Sequence, residues 1–322
     1  MNNLCKDRVN QVVIGVDGEA QRIDNYLLKI LKGVPKSHVY RILRSGEVRV
    51  NGGRAAPSRR LTEGDKVRIP PIRIAEREPG TKPRNPMQLP ILFEDDDVLI
   101  IDKPSGLAVH GGSGVSFGLI EIIRADRPNQ PFLELVHRLD KETSGVLLLA
   151  KTRSALTHLH GQIRDNLTKK IYVALVWGAW DHTINKIDLS LRKFVSKEGE
   201  RRVVVDGSEG KPCLTLVRAL ETHGETTLIE ANLKTGRTHQ IRVHLAHKNY
   251  PILGDDKYGD FRRNKIFQAY GLKRMFLHAH QFSFTHPTNG NRIKIESPIP
   301  TELKRVMTAI DEAQQEKELN IP

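Results

Sequence analysis

An aspartate fenced by basic side chains stands in the run Val136-His137-Arg138-Leu139-Asp140-Lys141-Glu142-Thr143-Ser144-Gly145. Nearby positive charge favours the ionised carboxylate, so Asp140 is a candidate base or nucleophile near neutral pH. Aspartate also serves turns and salt bridges, and the basic flank alone does not separate those roles. The apolar run Val146 to Ala150 follows at once and reads as a buried strand that could hold Asp140 rigidly at a cleft. A second group runs from Leu233 through Gly236-Arg237-Thr238-His239-Gln240-Ile241-Arg242 to His244. Gly236 ends a strand there and Thr238 is a suitable helix N-cap. Arg237 beside the exposed amides of a helix start would suit a phosphate. Arg242, about one turn further on, could reach back to a carboxylate. A capped amphipathic helix with a solvated basic side would carry the same residues. Tyr172, within Lys169 to Gly178, reads as a strand tyrosine. In a cleft with Asp140 its ring could stack on a base and its hydroxyl could handle a proton.

Metal and nucleotide chemistry find little support. The pairs His158/His160 and His278/His280 lack further ligands, and His239 and His244 are five apart and do not share a helix face. There is no HExxH, paired CxxC or carboxylate cluster. The glycine-rich runs Lys103-Pro104-Ser105-Gly106 and His110-Gly111-Gly112-Ser113-Gly114 lack the Lys-Ser/Thr ending of a phosphate cradle. Neither a metal nor a cofactor is expected.

The elements that must position these residues fall into two groups. The chain has 322 residues, 38% of them hydrophobic, which suggests two domains. Its net charge of +13 is spread along the sequence, which points to a polyanionic partner, nucleic acid before an anionic membrane. No apolar run approaches the roughly 20 residues needed to span a bilayer. Met1 to Asn10 has no signal-peptide or organelle-targeting character, and Cys5 and Cys213 do not make a disulfide framework, so a cytoplasmic protein is expected. A proline-punctuated linker over 74–90 divides a small unit at 20–73, preceded by an extension over 1–19, from a large unit at 91–322. In the small unit, helical spacing of Ile23, Tyr26, Leu27, Ile30 and Leu31, then of Val39, Ile42 and Leu43, predicts two helices. Alternation at Val48 and Val50, a turn at Asn51-Gly52-Gly53 and a strand at Val67 to Ile69 complete it. In the large unit, strands are expected at Ile91 to Phe93, Val98 to Ile101, Val146 to Ala150, Ile171 to Trp177, Leu214 to Leu220 and Thr226 to Leu233. Helices are expected near Arg153 to Asn166, His239 to Lys248 and Glu302 to Ala313. Runs of strands with irregularly placed helices predict an α+β fold with a mixed, mainly antiparallel sheet. Nothing such as a heptad seam asks for more than a monomer.

The small unit resembles the S4 RNA-binding domain through Arg22-Ile23-Asp24-Asn25-Tyr26-Leu27 and Gly46-Glu47-Val48-Arg49-Val50-Asn51-Gly52. Arg22, Lys36, Arg41, Arg44, Arg49, Asn51 and Arg54 are its expected RNA contacts. Nearly the whole chain resembles the RluA-type pseudouridine synthases. The resemblance runs through Lys103-Pro104-Ser105-Gly106, His137-Arg138-Leu139-Asp140, Tyr172, Gly236 to His244, Leu277-His278-Ala279 and His286-Pro287 in that order. Where Arg-Asp often follows the motif aspartate, this chain has Lys141-Glu142, which keeps the charges. The resemblance implies isomerisation of uridine in large-subunit ribosomal RNA, naked or in assembling particles, without cofactor or metal. The glycosidic carbon-nitrogen bond breaks, the uracil turns, and a carbon-carbon bond forms through C5. It implies that Asp140 is the catalytic aspartate, Tyr172 the active-site tyrosine and Arg242 the partner of the aspartate, while Arg138 enters the helix where the nucleoside was extruded. Lys103, His137, Arg237 and Ile241, in the same motifs, are expected beside the substrate. Two other readings would use the same charges: a non-catalytic RNA-binding assembly factor, and a metal-dependent nuclease, against which the ligand inventory argues.

Overall fold

Ile23 and Leu27 on one helix, and Val39, Ile42 and Leu43 on the next, are all buried. Their spacing puts an apolar stripe on each helix, and both stripes close on one small core. The computed structural model describes residues 8–31, 34–72, 89–111, 117–196 and 199–319, in two units divided between Arg84 and Asn85. The first contains β1 (Asn10–Val13), α1 (Ile23–Ile30), α2 (Lys36–Arg44), β2 (Arg49–Val50), β3 (Gly53–Arg54) and β4 (Lys66–Ile69). The strands form an antiparallel sheet in the order β1-β4-β2-β3. Asn51 and Gly52 have φ of 51° and 82°, the left-handed pair that a two-residue hairpin turn requires. The expected extension over 1–19 needs correction, because β1 pairs with β4 and Ile14 is buried in the same core. An isolated strand of alternating pattern at a chain start carries too little periodicity to be distinguished from a tail. The expected linker lies outside the described residues except at Leu89 and Pro90.

The second unit contains β5 (Ile91–Glu94), β6 (Val98–Lys103), α3 (Leu119–Asp126), β7 (Glu134–Leu135), β8 (Ser144–Ala150), α4 (Arg153–Arg164), β9 (Lys169–Trp177), β10 (Lys186–Asp188), β11 (Leu191–Val195), β12 (Arg201–Val205), β13 (Leu214–His223), β14 (Thr226–Leu233), α5 (Gln240–His247), α6 (Phe261–Gln268), β15 (Leu277–Thr285), β16 (Arg292–Glu296) and α7 (Thr301–Leu319). Ten strands make one mixed sheet along β10-β13-β14-β9-β15-β8-β6-β5, with β16 beside β15 and β7 beside β8. Every pairing in it is antiparallel except β8 with β15. Strand β8 is buried along its whole length, because α3 and α5 belong to the core on one face and α4 to that on the other. Burial on both faces explains its unbroken apolar sequence. At the parallel junction Gly145 has φ of 109°, and a Cβ there would lie 2.2 Å from the Ala279 carbonyl oxygen. Only glycine lets the two backbones approach so closely. Strands β11 and β12 form a separate hairpin. No helix among the described residues is long and apolar enough to cross a membrane.

Two histidines are built into this framework as neutral rings. His278 is fully buried, between the Ser144 hydroxyl at 2.9 Å and the Ser297 carbonyl at 3.0 Å. His137 accepts the Leu148 N–H at 3.2 Å and stacks on Phe282. Burial pushes His278 down to about 4 and His137 down to about 3. Unfolded, both rings take up a proton near pH 6.5. Between those values unfolding binds protons, so stability holds above pH 6.5 and falls as the pH drops toward the folded values. The expected slope approaches about 2.7 kcal/mol per pH unit near pH 5, for two protons. Urea unfolding from pH 7 to 5 reads it directly, and a flat profile would refute it.

Candidate active site

Asp140 lies in the loop entering β8, and that loop is staked through its backbone. Lys103, at the end of β6, is fully buried and donates to the carbonyls of Pro104, Leu107 and Lys141 at 2.8, 2.8 and 3.0 Å. Gly106 N–H donates to the same Lys141 carbonyl, and the Ser105 hydroxyl to that of Glu142. Thr143 N–H closes a turn on the Asp140 carbonyl at 3.1 Å. Burial pushes the Lys103 ammonium down to about 8, against the opposing pull of Glu142 and Asp140. All three ammonium directions are used on backbone, so Lys103 is not a substrate contact. It holds the strand-end loop to the aspartate loop.

Arg242 approaches from α5. Its Nε and one terminal nitrogen donate to the two oxygens of Asp255, each at 2.8 Å, while the other terminal nitrogen lies 3.3 Å from Asp140 Oδ2. Asp255 also accepts the N–H groups of Lys257 and Tyr258 at 2.9 and 3.0 Å. Burial raises Asp255, but its bonds from Arg242 and from these amides outweigh that and hold its carboxyl below the usual range. Burial likewise lowers Arg242, and the two aspartates more than restore it. The guanidinium lies 5.1 Å from the centre of the Tyr258 ring, within the range of cation–π attraction. His239 Nε2 stands 3.8 Å from Asp140 Oδ2, and its Nδ1 is 2.7 Å from the Tyr258 hydroxyl.

Helix α5 does not start as expected from Thr238. Its N-cap is His239, with a left-handed φ of 54° and no side-chain cap bond. The buried Gln240 amide does the closing instead. Its oxygen accepts from the Thr235 hydroxyl and Arg237 N–H, and its nitrogen donates to the Leu214 carbonyl and Thr215 hydroxyl.

The expected residues separate into those the fold brings to Asp140 and those it does not. Tyr172 lies on β9 in the same apolar cluster as Leu139 and Ile241. Burial, with the Asp140 carboxylate adding to it, pushes its hydroxyl well up, so the ring stays protonated and uncharged. The Arg138 side chain is exposed and makes no hydrogen bond or ion pair among the described residues, and Arg237 is exposed at the turn before α5. His137 is engaged with Leu148 and Phe282 and is a structural ring rather than a substrate contact. Ile241 is 3% exposed and can only wall the site from within the core. Asp255 and Tyr258 escaped the sequence reading, which assigned no role to Gly254-Asp255-Asp256-Lys257-Tyr258-Gly259. The available signal was chemical: a guanidinium on a buried helix face needs more than one acceptor. Among the described residues no three His, Cys, Asp or Glu side chains could hold a metal ion.

Residues 97–247 match the family model of RNA pseudouridylate synthase, and residues 21–67 that of the S4 domain. Ribosomal large subunit pseudouridine synthase C of Yersinia pestis is 50% identical over 307 residues, covering 94% of this chain and 96% of that protein. The Escherichia coli K12 protein of the same name is 50% identical over 312 residues, covering 95% and 98%. This chain belongs to the RNA pseudouridylate synthase family. Among solved structures, human RNA Pseudouridylate Synthase Domain Containing 4 is similar with a TM-score of 0.55 and 25% identity, covering 69% of this chain and 92% of that one.

In this synthase the S4 residues also divide by what they already bind. Arg22 clasps the buried Asp24 through two bonds, at 3.1 and 2.6 Å, and Asp24 accepts from Tyr40 as well. Arg41 pairs with Glu47, and the Asn51 amide bridges Asp65 and the Lys66 N–H. These three hold the domain's own shape. Arg44 and Arg49 spend one donor each on a carbonyl, of Tyr40 and Gly52, while the side chains of Lys36 and Arg54 make no hydrogen bond among the described residues. All four are exposed.

Removing Asp255 strips a buried charge of its bidentate partner. Asp255→Ala is expected to lower unfolding free energy by about 3–5 kcal/mol, measured in urea at pH 7. A loss within 1 kcal/mol, on the order of a surface change, would show that solvent replaces the carboxylate.

Proposed function

We propose that this chain isomerises uridines to pseudouridine in large-subunit ribosomal RNA, with Asp140 as the reacting carboxylate. The observation that carries the reading is the one-sided engagement of Asp140. Arg242 and His239 both stand against Oδ2, and no donor among the described residues bonds Oδ1. Oδ1 is therefore the oxygen left to meet the nucleoside, either at C1′ or on a sugar proton. Arg242 compensates the carboxylate charge without competing for that oxygen. Contacts of 3.3 and 3.8 Å are of the kind that tighten when substrate excludes water.

A base paired in a helix is out of reach, so the uridine must leave the stack at a cost of a few kcal/mol. The uncharged Tyr172 ring offers a stacking face that returns about 1–3 kcal/mol. The unpaired Arg138 is free to occupy the vacated place. The S4 unit adds phosphate contacts through Lys36, Arg44, Arg49 and Arg54. The large-subunit RNA assignment rests on the relatives named above.

Two experiments test this. Asp140→Asn is expected to cut pseudouridine formation in a large-subunit RNA transcript by about 10³-fold or more while RNA affinity stays the same, read by carbodiimide-primer extension. Wild-type rates from the Asn protein would remove Asp140 from the chemistry, and RNA binding by the wild-type chain without any pseudouridine would favour the assembly-factor reading. The second is a salt titration of RNA binding with the Lys36→Glu/Arg44→Glu variant. The slope of log affinity against log salt should flatten by about 1–2, one counterion per lost phosphate contact. An unchanged slope would place the S4 contacts elsewhere.

A further inference from the structure

Tyr258 touches both side chains that stand against Asp140 Oδ2. Its ring lies under the Arg242 guanidinium and meets the His239 ring edge-on, with centroids 5.4 Å apart. Its N–H is on Asp255. Its hydroxyl accepts the Val203 N–H at 3.0 Å and stands 2.7 Å from His239 Nδ1. We propose that Tyr258 is a positioning residue for the uridine reaction, fixing the His239 ring with its proton on Nε2 and pointing that N–H at Asp140 Oδ2.

The Tyr258 hydroxyl has one proton to give, and the backbone N–H of Val203 already fills an acceptor direction. Given to Nδ1, this proton has an acceptor, whereas an Nδ1–H donating to the hydroxyl would leave the hydroxyl proton without one among the described residues. A neutral imidazole that accepts at Nδ1 carries its own proton at Nε2, the atom 3.8 Å from Asp140 Oδ2. Asp140, Arg242, Lys257 and Asp255 are the charged groups around this ring. Burial is the largest influence on it and lowers its affinity for a second proton, so the neutral form prevails near pH 7. The Tyr258 hydroxyl is pushed up by burial and keeps its proton over the same range.

The β11–β12 hairpin holds Tyr258 in place. Val203 belongs to β12, and the β11–β12 hairpin is tied to the same turn a second time, by Lys257 Nζ donating to the Arg201 carbonyl at 2.7 Å. His239 itself has a left-handed backbone, uncommon outside glycine. That conformation is strained for a residue with a side chain, and here it coincides with the bond from His239 to Tyr258.

The inference uses the proposed reaction only in its kinetic arm. Nitrogen-15 spectra of the free protein should show the His239 proton on Nε2, and a mixture of the Nδ1 and Nε2 tautomers in Tyr258→Phe. In single turnover with large-subunit RNA, Tyr258→Phe should slow pseudouridine formation about 10- to 100-fold, with RNA affinity unchanged. A His239 proton on Nδ1 in the wild-type protein overturns the assignment, as does a Phe variant with an unchanged rate or a change in affinity alone. The spectra need no RNA, so they stand even if Asp140→Asn refutes the reaction.

Discussion

Arg242 is a permanent cation buried on a helix, and the surrounding structure is organised by the need to satisfy it. A guanidinium presents its donors in a rigid planar fork. Asp255 takes one edge of the fork through two bonds, which fixes the plane of the guanidinium and with it the direction of the third nitrogen. Asp140 sits in that direction. A lysine at the same place would lack both the bidentate grip and the fixed outgoing vector. The position of Asp140 is thus set from the far side of the guanidinium as much as by its own loop.

The other half of that placement is made of main chain. Three carbonyls converge on the Lys103 ammonium, two from its own loop and one from Lys141 beside the aspartate. The carbonyls of residues 141 and 142 also receive Gly106 and Ser105. Such bonds depend on the path of the chain and tolerate side-chain change on the outer face of the loop. Lys141 and Glu142, which stand where the family resemblance suggests other residues, are linked to this scaffold by their backbones.

Much of this could be read from residue types and order, and the failures share a cause. Continuous apolar runs marked β8 and β9 because strands buried on both faces need them, and β-branched and alternating apolar residues marked β14. Asn51-Gly52 marked its turn because few residues accept two positive φ angles. Asp140 and Arg242 stood out as complementary charges at element ends. Lys103, His137 and Ile241 were misjudged because a place in a motif does not say which way a side chain points. Lys103 and Ile241 point inward, and His137 lies against Phe282. Arg22 was misjudged for the same reason, since nothing local announces that Asp24 is buried and waiting for it. Asp255 and Tyr258 lie on a turn, where no periodicity marks a buried face, and their meaning comes entirely from a helix 13 residues upstream.

The parallel seam between β8 and β15 has a consequence for the order in which the molecule is made. Ser144 meets His278 across 134 residues, and Asp140 meets Arg242 across 102. Contacts so distant in sequence close late, because the intervening chain loses entropy before they form. During synthesis the small unit has all its strands once Ile69 has emerged, whereas the seam that anchors β8 needs the chain beyond Leu277. A growing polypeptide therefore carries a folded basic module well before it carries an assembled carboxylate site.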